Sequence, residues 1–310
     1  MNGIITKIED EMKQFRYRAK TVSIKHLSDI QDSVGKLVRQ GLVDKQLYET
    51  WHFYLQTNRN LPEANTIIVV AMPQPITRIW FKWRGSTYLA DIPPDYFARA
   101  EYESRAEEAL KSALETAGYK IARAHLALKT LAVRSRLATY GKNNITYIPG
   151  MGSLYSLVAF YSDCPCEQDN WQDSKVMVDC ENCSLCRESC PTGSIPVDRF
   201  LINAENCLGF LNEMEPDIPY WVQLQPDWHN GLIGCGCCQF VCPVNKPYLN
   251  NIVPGPSFSE NETGLILDKT PWEKLYPKTR QKLGISEGIY RRLPSNLSAL
   301  IEKQDKFAGI

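Results

Sequence analysis

The sequence lacks the features that would place the chain in a membrane or outside the cell. No run of eighteen apolar residues occurs, so no transmembrane helix is predicted. Residues 1–13 are polar and charged, with neither the apolar core of a secretory signal nor a twin-arginine motif. We therefore expect a cytoplasmic protein that does not bind membranes. In that compartment, abundant cysteine indicates metal or redox chemistry and not structural disulfides.

The chain also lacks an excess of charge of either sign. Lys plus Arg number 35 and Asp plus Glu number 35, so the formal net charge is zero. This balance gives no general attraction to nucleic acid or to an anionic membrane. With 310 residues, 44% of them hydrophobic, the chain is long enough for one large packed domain or two smaller ones.

What the sequence has in quantity is cysteine, with eleven residues. Two dense runs occur, each followed by proline, with Cys207 between them. The first has the C-x₂-C-x₂-C-x₃-C-P spacing that holds a cubane iron–sulfur cluster. The cysteines of this first run are Cys180, Cys183, Cys186 and Cys190, and those of the second are Cys235, Cys237, Cys238 and Cys242.

The first run needs a partner, because its fourth cysteine ordinarily serves a second cluster. We therefore predict two [4Fe–4S] clusters and expect Cys237 to be a bystander. Structural zinc is the alternative, but zinc prefers paired C-x₂-C knuckles with four ligands per site. The predicted ligands are Cys180, Cys183, Cys186 and Cys242 for cluster 1, and Cys190, Cys207, Cys235 and Cys238 for cluster 2.

Hydrophobic periodicity predicts an α+β region ahead of the cysteines. Helical spacing of Ile4, Ile8 and Met12, and looser spacing that extends to Leu47 and Trp51, predicts helices over 4–60. Other helices are expected at 93–118, 126–137 and 263–303, strands at 66–72, 119–124, 145–148 and 154–162, and a strand pair at 79–88. The predicted domains are an α+β domain at 1–170, a bacterial ferredoxin-like two-cluster domain at 171–250 and a helical tail at 251–310 that packs back on the core.

Two glycine turns precede the cysteines, at Gly141-Lys142-Asn143 and at Gly152-Ser153. Combined with the Cys-Pro-Thr-Gly run at 190–193 and the Cys-Pro-x-Asn run at 242–245, they resemble the epoxyqueuosine reductases. These are cobalamin-dependent enzymes of queuosine biosynthesis, distantly similar to reductive dehalogenases. The resemblance extends over residues 65–250.

The resemblance implies a nitroreductase-like corrinoid-binding domain followed by a ferredoxin-like two-cluster domain. It implies that electrons pass from a low-potential donor, such as a ferredoxin or flavodoxin, through the clusters to cobalt. The residues that it assigns to corrinoid binding are Gly141, Lys142, Asn143, Gly152 and Ser153.

One departure from the family bears on the substrate. Ala122 stands where these enzymes carry a catalytic aspartate, and the chain ends without their helical-repeat extension. Alanine cannot donate a proton, so Tyr96 and His125 become the candidate proton donors, although a helix-surface histidine is the ordinary interpretation of His125. We therefore expect a small-molecule or corrinoid-protein substrate, with tRNA as the less favoured possibility.

Alternative functions remain on the sequence alone. The chain could reactivate another protein's cobalt centre, or act as a two-cluster carrier without a corrinoid, although a carrier does not need more than 160 residues ahead of its clusters. Cys164 and Cys166 could be buried thiols or a redox pair. Residues 78–84 interleave aromatics with cations, which is typical of an amphipathic hairpin or of a surface that stacks bases.

Overall fold

The computed structural model describes residues 3–43, 49, 60–213 and 226–308. The chain forms two compact units, each assembled from separate segments. Unit 1 comprises Met1–Gln74, Arg99–Ser184 and Val197–Leu201, and unit 2 comprises Pro75–Ala98, Leu185–Pro196 and Ile202–Ile310. These two units are compact structural units and do not test the predicted functional domains. The domain boundaries at 170 and 250 therefore stay a prediction.

Unit 1 is built on a four-stranded antiparallel sheet with strand order β1-β2-β8-β5. The longest pairing joins β2 to β8, from Thr66 opposite Ser162 to Pro73 opposite Tyr155. Strands β6 and β7 pair antiparallel and form a separate two-stranded ribbon. The strands are β1 (Arg18–Ser23), β2 (Thr66–Pro73), β5 (Ile121–Ala124), β6 (Thr139–Tyr140), β7 (Thr146–Tyr147) and β8 (Tyr155–Ser162).

Both faces of this sheet are covered, because successive side chains of a strand point to opposite faces. One face packs Ile68, Val70 and Phe160 against α1 and α3. The other face packs Ile67, Val69, Ala159 and further apolar residues against α2 and α4. The four helices are α1 (Ile4–Gln14), α2 (Leu27–Arg39), α3 (Arg99–Glu115) and α4 (Leu128–Arg134).

Unit 2 is a small sheet covered by helices. Its strands β3 (Ile76–Trp83) and β4 (Ser86–Ile92) form a hairpin, and β9 (Ile252–Phe258) runs parallel to β3. The stacked rings of Phe81 and Phe258 lie in its core. The helices are α5 (Leu185–Glu188), α6 (Leu208–Leu211), α7 (Cys237–Phe240), α8 (Glu260–Leu267), α9 (Pro277–Leu283), α10 (Glu287–Tyr290) and α11 (Leu293–Ala308).

The buried strand predicted at 66–72, the hairpin at 79–88 and the strand at 154–162 are confirmed. The hairpin turns at Arg84 and Gly85, both with positive φ. The aromatic and cationic residues at 78–84 therefore lie on a paired strand, with Phe81 buried and Lys82 exposed. This arrangement agrees with the amphipathic hairpin interpretation.

Two secondary-structure predictions are wrong in part, and one strand was missed. Residues 4–60 are not helical throughout, because 18–23 form β1, whose β-branched Thr21 and Val22 are buried against β2. The helix expected from Pro93 begins only at Arg99, since Asp95 and Ala98 have left-handed φ values of 81° and 56°. Strand β9 was not predicted, because it contains Pro and Gly residues, which are unfavourable inside strands.

Leu47 and Trp51, on which part of the helix prediction depended, lie outside the described residues. Over the described ranges, no helix is both long enough and apolar enough to cross a membrane.

Candidate cofactor and substrate sites

All four cysteines predicted for cluster 2 lie in unit 2. Cys190 begins a short turn in which the backbone N–H of Ser194 points at its sulfur at 3.3 Å. Cys207 and Cys235 approach each other across Gly209. A Cβ built on Gly209 would lie 3.7 Å from the Cys207 sulfur and 3.8 Å from the Cys235 Cβ. Glycine at 209 therefore keeps space open between two predicted ligands.

The cysteines predicted for cluster 1 come from both units. Cys180 ends a 3₁₀ turn at Val178–Cys180, and the Cys183 N–H bonds its carbonyl at 3.2 Å, both in unit 1. Cys186 lies on α5 and Cys242 precedes the 3₁₀ turn Pro243–Asn245, both in unit 2. In unit 2, α5 packs against α7, which carries Cys238.

These residues fit cubane clusters in their chemistry. All eleven cysteines lie in the described ranges, and all are free thiols. The predicted ligands are partly exposed, and the N–H contact to Cys190 is the type of hydrogen bond that tunes thiolate ligands. In the part of the chain that the structure describes, no group of three or more His, Cys, Asp or Glu residues is arranged to hold a single metal ion. The two ligand sets therefore stay predictions from spacing.

The other three cysteines have different environments. Cys164 is fully buried in the core beside Phe160, and burial raises the pKa of its thiol. Burial, followed by the nearby Asp169, raises the pKa of Cys166 to about 11. Both are therefore protonated thiols at neutral pH, but only Cys164 fits the buried-thiol interpretation, because Cys166 is partly exposed. Cys237 accepts a hydrogen bond from the Asn230 amide at 2.8 Å.

The loop expected to contact a corrinoid is held by its own side chains. Asn143 is buried and donates to the Tyr147 hydroxyl at 2.9 Å, and its Oδ1 accepts from the Ile145 N–H at 3.2 Å. A Cβ on Gly141 would lie 2.6 Å from the Tyr147 ring, so only glycine fits there. Gly141 and Asn143 therefore shape the turn.

Lys142 extends out of this loop toward the first cysteine run. Its exposed ammonium donates to the carbonyl of Glu181 at 3.0 Å and to that of Cys183 at 3.3 Å. Both contacts lie within unit 1. The glycine loop and the segment that carries Cys180 and Cys183 are thus joined by one cation.

The second glycine turn lies directly before β8. Gly152 has φ 60°, and its carbonyl accepts from the Ile148 N–H at 2.8 Å. Ser153 is only 5% exposed. The two residues close the loop between β7 and β8.

Unit 1 also contains a cavity of about 690 Å³ at the end of β5. Its size lies within the 300–1,000 Å³ typical of small-molecule sites. His125 is among the lining residues, whereas Ala122 lies one position before the lining begins and pairs with Tyr161 of β8. The lining is Arg99, Glu103, Arg123, Ala124, His125, Leu126, Ala127, Leu128, Lys129, Thr130, Leu157, Val158 and Ala159.

Sequence reasoning missed the carboxylate of this cavity. Glu103 of α3 accepts from Arg99 Nε at 2.8 Å and forms a second ion pair with Arg123. Its side chain is only 13% exposed, so the two guanidiniums enclose it. An Arg–Glu spacing of four on a predicted helix was the available signal.

The other proton-donor candidate, Tyr96, lies in unit 2. Its hydroxyl donates to the Glu213 carboxylate, and its ring is 3.2 Å from the position of a Cβ on Gly234. Burial, followed by the negative charge of Glu213, raises its pKa well above the ordinary value. Tyr96 is therefore a neutral phenol beside the segment that carries Cys235. His229, also buried, has a pKa lowered to about 4 by desolvation and by Lys303.

Comparison with known proteins agrees with the cysteine pattern. The 4Fe-4S double cluster binding domain family matches residues 179–245. The epoxyqueuosine reductase of Cellulophaga algicola is 28% identical over 180 residues, which cover 56% of this chain and 55% of that protein. The Bacillus subtilis epoxyqueuosine reductase is 29% identical over 199 residues, covering 60% and 49%. The matched region thus spans about half the length of these curated relatives.

Solved structures show the same fold over nearly the whole chain. The epoxyqueuosine reductase of Streptococcus thermophilus aligns with a TM-score of 0.66 at 17% identity, covering 98% of this chain and 84% of that one. A second epoxyqueuosine reductase structure, with an epoxyqueuosine-modified tRNA stem loop, aligns with a TM-score of 0.62 at 18% identity, covering 99% and 84%. The resemblance inferred from the glycine turns and the cysteines is confirmed, as is the mixture of helices and strands.

We predict that anaerobically purified protein contains about eight irons and eight sulfides per chain, because each four-thiolate site binds one four-iron cubane. Replacing Cys183 by Ala should remove one cluster and leave the other. The matched control is Cys166→Ala, which should lose neither. Iron and sulfide analysis with electron paramagnetic resonance provides the measurement, and two equivalents of zinc without visible absorption would contradict the prediction.

Proposed function

We propose that this chain is an iron–sulfur oxidoreductase that uses two [4Fe–4S] clusters and a corrinoid to reduce its substrate. The observation that carries the proposal is the double-cluster match at 179–245 in a chain whose fold is that of epoxyqueuosine reductase over 98% of its length. The cluster ligands are those predicted from spacing, and an external low-potential donor such as a ferredoxin or flavodoxin supplies the electrons. Residues 1–170 would form the corrinoid-binding domain, in the cytoplasm.

A bound corrinoid would supply low-valent cobalt as nucleophile or reductant. The protein contributes the loops that receive it. Gly141 permits the close packing of the first turn and Gly152, with φ 60°, the second turn, while the buried Asn143 holds the first turn in shape. Ser153 closes the second turn. These contributions are binding and orientation, which is what a protein provides to a cofactor of this kind.

Proton delivery is assigned to His125. It is exposed and lines the cavity of unit 1, where a small substrate can reach it. Tyr96 is less suitable, because its hydroxyl already donates a hydrogen bond to Glu213. Burial also raises its pKa, which opposes loss of the proton. A histidine can act as general acid near neutral pH.

Two other functions are less well supported. A bare electron carrier needs only the cluster segment, yet the four-stranded sheet and its helices occupy most of unit 1. Reactivation of another corrinoid protein would not need the cavity at the end of β5. A substrate-reducing enzyme accounts for both features.

We predict that the purified protein binds cob(II)alamin at one equivalent and perturbs its electron paramagnetic resonance spectrum. Gly141→Ala should weaken this binding, because the added methyl would meet the Tyr147 ring at 2.6 Å and deform the turn. Gly35→Ala, on helix α2, is the matched control and should bind normally. An unperturbed spectrum at micromolar cobalamin would remove the corrinoid from the proposal and favour the carrier function.

We further predict that the chain does not reduce epoxyqueuosine in tRNA efficiently. Ala122 stands at the position of the family's acid, and loss of a positioned general acid typically costs about 10²- to 10⁴-fold in rate. The assay supplies epoxyqueuosine-containing tRNA with a low-potential donor.

The informative variants are Ala122→Asp and, as a control of equal size without the acid, Ala122→Asn. A gain confined to Ala122→Asp would support the prediction. Turnover by the natural chain at roughly 1 s⁻¹ or faster, an ordinary enzymatic rate, would show it to be wrong.

A further inference from the structure

The polar lining of the unit 1 cavity carries an excess of positive charge. Arg99, Arg123 and Lys129 contribute three cations, and Glu103 contributes one carboxylate. His125 adds a further titratable group at the same wall. Apart from Thr130, the remaining lining is apolar, from β8, from the segment that leads into α4 and from the start of α4.

Glu103 organises two of these cations. It accepts from Arg99 and Arg123, which come from different elements, α3 and β5. A guanidinium has five N–H donors in a planar fork, and the single ion pair of Arg123 with Glu103 uses only part of that set. The Arg123 side chain is 35% exposed, so it also reaches the open cavity.

The cavity wall is cationic next to the position of Ala122. Where an aspartate is expected, this chain has Ala122, and the next residue is Arg123. Guanidinium groups recognise carboxylates and phosphates through paired, charge-assisted hydrogen bonds. An apolar floor suits the hydrocarbon part of such a molecule.

We propose that this cavity binds a small organic anion, a carboxylate or phosphate ester with an apolar body. Arg123 and Lys129 bind the anionic group, Arg99 and Glu103 position Arg123, and Leu126 and Leu157, which belong to the same core cluster, contact the apolar part. The proposal deepens the proposed reductase function by naming a substrate class, but binding can be measured without turnover.

The test is calorimetric titration of anaerobically purified protein with naphthalene-2-carboxylate and with its neutral isostere naphthalene-2-carboxamide. The carboxylate should bind about tenfold or more tightly than the amide, since hydrogen bonds to charged groups are the stronger ones. Arg123→Met and Lys129→Met should each weaken carboxylate binding severalfold. Lys129 is exposed, so its variant folds even if loss of Arg123 disturbs Glu103.

Arg105→Met is the matched control. Arg105 lies on the same helix and forms the same type of i, i+4 ion pair, with Glu101, but it does not line the cavity. Equal affinity for acid and amide, or equal loss in Arg105→Met, would overturn the proposal. Competition by cob(II)alamin would also overturn the proposal, because the cavity would then be the corrinoid-binding site. A failure of cobalamin binding alone would overturn only the corrinoid proposal.

A second inference rests on a separate contact. The ammonium of Lys142 lies 3.3 Å from the carbonyl oxygen of Cys183, a predicted cluster 1 ligand, and 3.0 Å from that of Glu181. A positive charge next to a cluster stabilises its reduced form, which carries one more negative charge. We propose that Lys142 raises the reduction potential of cluster 1 and positions the glycine loop at 141–143. This second inference rests on the proposed cluster ligation.

The test is a redox titration of the anaerobically purified protein, followed by electron paramagnetic resonance. In Lys142→Gln, the equilibrium constant for reduction of one cluster should fall about five- to tenfold, where tenfold is 59 mV for a one-electron couple. Lys142→Arg should restore the potential, and Lys111→Gln should change nothing. Unchanged potentials with both clusters present would overturn this inference, whereas absence of the clusters would overturn the proposed function.

Discussion

Unit 1 depends on the antiparallel pairing of β2 with β8. Eight residues of β2 pair with eight residues of β8, from Thr66 opposite Ser162 onward. Nearly all of their side chains are buried, on both faces of the sheet. Because one face is covered by α1 and α3 and the other by α2 and α4, a register shift of one residue would exchange every buried side chain between the two cores. The pairing therefore fixes where β5 and the loop after β7 can lie.

The functional features of unit 1 lie at the margins of this rigid centre. The cavity opens where the short edge strand β5 ends, and the glycine turns lie in the chain that leads into β8. These margins are loops and strand ends, which are the places where binding residues commonly lie on a rigid scaffold. The same margin bears Lys142, which reaches from the glycine turn to the cysteine segment.

One carboxylate organises the charged wall of the cavity. Glu103 of α3 lies between the guanidiniums of Arg99 and Arg123. Such a carboxylate orients cations, because its own lone pairs are engaged. This pairing fixes two guanidiniums, one from a helix and one from a strand, at the wall of the cavity.

The sequence by itself determined the cluster chemistry, the hairpin at 79–88 and the central strands. Cysteine spacing is a local property, and alternating or continuous β-branched runs report burial directly. It did not determine β1 or β9, because Arg18–Ser23 becomes a strand through pairing with β2, and Pro and Gly in Ile252–Phe258 are tolerated only at a sheet edge. Three contacts were decided only by the tertiary structure: Glu103 with Arg123, the Tyr96 hydroxyl with Glu213, and Lys142 with the Cys183 carbonyl. Each joins residues from different segments of the chain, and no local sequence pattern encodes such a contact.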